Sequence, residues 1–134
     1  MTTELPEYYF RVRDNGAFVF RPNSDNRQRR TELNQIAVVN IRNGEIKPHG
    51  DRVLTDSDIE AIRDWMTDRA ALLARREFDD ILRALDVLNT TAHWAQTRAT
   101  EAQLERVTDD LLLAMHDLRS VLVRKKSDRL SRDV

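Results

Sequence analysis

Apolar and polar residues change rhythm once along this chain, near residue 50. Before that point they alternate over short stretches punctuated by glycine and proline; after it apolar residues recur every three or four positions. Alternation marks half-buried strands, and the longer spacing marks amphipathic helices. All three glycines (Gly16, Gly44, Gly50) and all three prolines (Pro6, Pro22, Pro48) fall in the first part, leaving a long run free of helix breakers. The pattern predicts an α+β fold: an N-terminal antiparallel sheet of three to four strands, followed by a bundle of two or three long antiparallel helices.

The stretch RVRDNGAFVF, residues 11–20, predicts the first hairpin. A two-residue turn at Asn15-Gly16 would set Val12 against Val19 and leave both faces mixed. A three-residue turn over 14–16, with a bulge at Gly16, pairs Val12 with Phe18 and Phe10 with Phe20. That register gathers Tyr8, Phe10, Val12, Phe18 and Phe20 on one face and sends Arg11 and Arg13 to the other, and the cleaner apolar face favours it. It also separates arginines from aromatic rings, which counts against a nucleic-acid platform. In QIAVVNIRNGEIKP a two-residue turn at Asn43-Gly44 pairs Arg42 with Glu45 and Ile41 with Ile46, predicting strands over 35–41 and 45–48. The polar stretch RPNSDNRQRR, residues 21–30, is expected to be a mobile connection.

LTDSDI carries a helix start: Thr55 as cap, Asp58 closing a capping box, and Leu54 stapling to Ile59. Ile59, Ile62, Met66, Ala70 and Leu73 form one stripe. Phe78, Ile81, Leu85, Leu88 and Ala92 form a second, offset near ARRE, which fits one helix with a stutter or two helices. Thr100 with Gln103 opens a final helix whose stripe is Leu104, Val107, Leu111, Met115, Leu118 and Leu122. This helix is expected to pack antiparallel on the one before it. Leu112, Leu113, Val121 and Val123 spread apolar character beyond that stripe, so a second surface is expected to cover them.

At 134 residues with 40% hydrophobic content, the chain suits one domain over 1–134, with a β-rich part (1–50), a helical part (51–126) and a basic, frayed tail (127–134). It has no cysteine, which excludes disulfides and thiolate chemistry and fits a reducing compartment; a cytoplasmic location is the expectation. The acidic start MTTELPEYYF lacks the pattern of a secretory signal, and no apolar run is long enough to span a bilayer, so no membrane association is expected. The net charge of -1 is unevenly spread: residues 53–123 carry fourteen acidic against eight basic side chains, and residues 124–134 two against five.

Little in the sequence points to catalysis. DSDIE resembles a calcium loop only superficially, since Ala61 stands where glycine is needed and Thr67 where glutamate is needed. His49, His93 and His116 lack metal-ligand spacing, and no phosphate loop or nucleophile elbow can be assembled. No enzyme activity, metal or cofactor is expected. Two basic clusters stand out: Arg27, Arg29 and Arg30 in RQRR, and Arg124, Lys125 and Lys126 before the C-terminus. The expected function is that of a non-catalytic protein-interaction module which self-associates, a homodimer being favoured, through Leu112, Leu113, Val121 and Val123 of the last helix. An unidentified protein partner is a further possibility. The alternative is a nucleic-acid-binding regulator using the two basic clusters.

Overall fold

In a computed structural model of the chain, residues 5–25 and 30–133 are described. Four strands form one antiparallel sheet in the order β1-β2-β3-β4: β1 (Tyr9–Arg13), β2 (Gly16–Asp25), β3 (Arg30–Asn40) and β4 (Glu45–Pro48). Two long helices follow, α1 (Asp56–Thr97) and α2 (Glu101–Arg132). The chain divides into two compact units, residues 1–79 and 80–134, and α1 runs from the first into the second.

In the first unit, α1 lays its opening turns on one face of the sheet. Ala17, Val19, Ile36, Ala37, Val39 and Ile62 form the buried core, with Tyr8, Phe10, Ile46, Leu54, Trp65 and Met66 packed against it. Phe10 stacks on the Trp65 ring with centroids 4.5 Å apart. Ile62 seats among the small residues at the sheet centre, and Trp65 supplies bulk over Phe10.

The first hairpin adopts neither register considered from sequence. Arg13 pairs with Gly16, Val12 with Ala17, Arg11 with Phe18 and Phe10 with Val19, so the turn is Asp14-Asn15. Tyr8, Phe10 and Val12 do share the helix-facing side, but Phe18 and Phe20 turn to the opposite one and join Arg11 and Arg13. The reason lies in the third strand and the helix: Ala17 against Val39 and Val19 against Ala37 build a surface flat enough for α1. Gly16 is required by proximity, because a Cβ at that position would collide with the Val39 carbonyl oxygen.

The second hairpin also shifts. Asn40 pairs with Glu45 and Val39 with Ile46, leaving a four-residue loop over 41–44 in place of the two-residue turn. The Asn40 side-chain oxygen accepts from the backbone N–H groups of Arg42 and Asn43, and Gly44 takes φ 73°. Much of the expected mobile connection is strand instead, since β2 extends through Asp25 and β3 begins at Arg30. The break in pairing register between Val19 and Phe20 lets both long strands continue past the core.

Both helix starts form as the sequence indicates. Thr55 Oγ1 accepts from the Asp58 N–H at 3.0 Å while Asp58 Oδ2 accepts from the Thr55 N–H at 3.1 Å. Thr100 and Gln103 make the same reciprocal pair. Residues 56–97 form one helix of 42 residues, which resolves the choice left open at ARRE. The last helix continues through Arg132, across most of the stretch expected to be a frayed tail. Among the described residues no helix is long and apolar enough to cross a membrane.

Candidate functional site

Beyond the sheet, α1 keeps its apolar periodicity but loses its cover. Phe78, Ile81, Leu85 and Leu88 are all substantially exposed. In the second unit, α2 returns after the short turn at 98–100, and only Thr91, Trp94, Ala99, Leu104 and Val107, close to that turn, are partly covered. Among the described residues none of the 32 in α2 is buried. Leu88 and, across from it, Met115, Leu118, Leu122 and Val123 line an open apolar groove of about 310 Å³.

The stripe expected to be satisfied by the preceding helix is covered in part only near the turn, at Leu104 and Val107. Leu111 remains 40% exposed, and Met115 and Leu118 about half exposed. All four residues expected to form a further surface are exposed as well, Leu112 at 58% and Leu113 at 66%. They do not form one patch. On a helix advancing 100° per residue, Leu112 and Val123 lie on the same side, Leu113 stands a further 100° round, and Val121 falls on the opposite flank.

The outer face of the sheet carries a second constellation, which the sequence reading placed differently. The Arg11 guanidinium sits 4.6 Å from the centroid of the Phe20 ring and that of Arg13 5.5 Å from the Phe18 ring. Tyr9 lies beside Phe20 at 6.1 Å between centroids. Phe20 is only 7% exposed, although it lies outside the cluster beneath the helix. Its ring is shielded on the outer side, and a guanidinium over an aromatic face gains a cation–π attraction while keeping its edge N–H groups free to donate. Val38 pairs with Phe18 on one side and Lys47 on the other, which places the Lys47 ammonium on this face, 3.6 Å from Glu45.

A third group of polar residues ties the chain before β1 to the start of α1. The Tyr8 hydroxyl donates to Asp58 Oδ1 at 2.6 Å, and Arg21 Nη1 approaches the same oxygen at 3.4 Å. Asp58 is the one charged side chain buried among the described residues. Burial by itself would raise its carboxyl pKa, but donors from Tyr8 and Thr55 and the Arg21 charge outweigh that and hold it below the ordinary aspartate value. Burial, followed by the bond to Asp58, pushes the Tyr8 hydroxyl up to about 12. Both Asp58 carboxylate oxygens are engaged, one by Tyr8 and Arg21 and the other by the Thr55 N–H, so the group fastens helix to sheet. A solvent-open cleft of about 710 Å³ lies between the first hairpin turn and α1, with Arg13, Arg42, Arg69, Asp14 and Glu77 among its lining.

Of the two basic clusters, Arg27 and Arg29 lie outside the described residues, and Arg30 opens β3. Arg124, Lys125 and Lys126 lie exposed within α2, two turns before its end. His49, His93 and His116 are exposed and on separate elements or well apart in sequence. Among the described residues no group of three or more histidine or carboxylate side chains is placed to hold a metal. The arginine–phenylalanine pairs were missed because the hairpin was judged alone; residues 35–39, a strongly apolar run, held the clue that a third strand fixes the register.

Comparison of the chain with protein-family models, curated proteins and solved structures finds no match.

Proposed function

We propose that the protein is a non-catalytic interaction module that self-associates through α2 and the second half of α1, two copies completing a helical bundle that one copy leaves open. The observation that carries this reading is the exposure of Leu111, Leu112, Met115, Leu118 and Leu122 along a helix with no buried residue. Burying apolar surface contributes about 25 cal/mol per Å², and a contiguous apolar face of this length marks an interaction site. A second copy supplies a matching face automatically. Light scattering tests the reading: the wild type is expected to be dimeric at tens of micromolar, and Leu112→Glu to yield a folded monomer, because the new carboxylate would be desolvated in the interface. A wild type that is monomeric at that concentration overturns it.

A second reading, nucleic-acid binding, is favoured by the placement of Arg11 and Arg13 on one sheet face with Tyr9, Phe18 and Phe20. Guanidiniums can meet phosphates there while an exposed tyrosine offers a ring to a base. Fluorescence anisotropy with a labelled single-stranded oligonucleotide should show binding at about 50 mM salt that weakens steeply by about 200 mM. Arg11→Ala with Arg13→Ala should abolish it, and no binding at the lower salt ends this reading.

A further inference from the structure

We infer that two copies of α2 dock antiparallel, about a two-fold axis passing near His116 and Asp117; this rests on the self-association proposed above and specifies its geometry. The charge along α2 is split. Residues 101–117 hold five carboxylates against one arginine, whereas residues 118–132 hold six cations against one carboxylate. One side of the helix carries the split in line with apolar residues. At 100° per residue, Glu101, Glu105, Leu112, Arg119, Val123 and Lys126 fall within about 60° of arc. Read from the N-terminus, that side presents two acids, then Thr108 and Leu112, then a cation, an apolar residue and a second cation, and ends at Leu130.

A side patterned in this way is complementary to its own reverse. Antiparallel docking about 116–117 brings Leu112 of each copy within one helical turn of Val123 of the other, and Glu105 within one turn of Lys126. Both contacts occur twice, as a two-fold interface demands. Parallel docking would also bury Leu112 and Val123. It would, however, press Glu101 and Glu105 against their own copies and do the same to Arg119 and Lys126, and like charges brought together oppose association. Leu112 and Val123 are both more than half exposed in the single chain, so no side chain of the same copy has to leave before the partner arrives.

The chain contains no cysteine, so an introduced one reports on the interface alone. Leu112→Cys and Val123→Cys are prepared as full-length proteins, checked for helical circular dichroism and light-scattering mass, and oxidised separately and as an equimolar mixture. The antiparallel arrangement yields disulfide-linked dimers only in the mixture, because each cysteine lies several turns from its own copy. Linked dimers from either variant alone overturn the antiparallel geometry while leaving self-association standing, whereas a monomeric mass for both the wild type and these variants overturns self-association itself. Charge exchange gives a second readout: Glu105→Lys and Lys126→Glu are each expected to weaken the dimer about tenfold, and the double variant to recover it. A dimer indifferent to both single changes overturns the proposal.

Discussion

Two stretches of the same helix behave differently. Over its opening turns α1 buries Ile62 completely and packs Trp65 and Met66 against the sheet core. Two turns and more beyond, Phe78, Ile81 and Leu85 repeat the same periodicity in the open, and α2 continues that exposure. The difference is one of supply. A four-stranded sheet spans three strand spacings and covers only a few helical turns, and along the rest of the apolar stripe Phe78, Ile81, Leu85 and Leu88 stay substantially exposed. An amphipathic pattern therefore states that a face will be covered, without stating by what.

The contrast can be broken by stability measurements. The largest effect is expected at the covered end: Ile62→Ala and Phe10→Ala should each cost about 2–5 kcal/mol in chemical denaturation, since each leaves a void in a packed core. Leu111→Ala should change the unfolding of a dilute, dissociated chain by under about 1 kcal/mol while weakening association. Similar losses at Ile62 and Leu111 in dilute protein would erase the distinction. Next in size is Gly16→Ala, expected to cost about 1–3 kcal/mol because its Cβ meets the Val39 carbonyl and the backbone has to shift.

Smaller effects sharpen how helix and sheet are joined. Thr55→Ala should cost about 1 kcal/mol by removing the cap. The Asp58 carboxyl has a depressed folded pKa, so its contribution is present above the ordinary value of about 3.9 and is lost as pH falls through the folded value. Tyr8 has a raised folded pKa, so its contribution is intact below about 10 and disappears as pH rises toward 12. Melting temperature followed against pH should fall at both ends, and Tyr8→Phe should flatten the alkaline fall. The smallest effect is expected from Arg11→Ala, about 0.5–1 kcal/mol for the loss of the guanidinium above Phe20.

The helix starts at Thr55 and Thr100 were legible because a capping box is a local exchange of hydrogen bonds among four consecutive residues. The strand over 45–48 was legible for a similar reason, as a short alternating run closed by proline. Both hairpin registers were misread. In each, an Asn-Gly dipeptide suggested where the chain turns, but Gly16 is present for a close approach to β3 and Gly44 closes a longer loop. Leu112 and Val123 are exposed in the single chain, and so are Leu111, Met115 and Leu118, for which the sequence pattern predicts cover from α1.

The sequence by itself determined that strands precede helices, where the helices begin, and which positions along them are apolar. Those features depend on backbone preferences and side-chain spacing within a few residues of one another. Only the tertiary structure decided which sheet face receives α1, and with it that Phe18 and Phe20 lie beneath arginines on the far side. It also decided that cover ends partway along α1. Both outcomes depend on contacts between residues far apart in the chain, where a one-residue slip exchanges the two faces of a strand and a helix outruns the sheet that supports it.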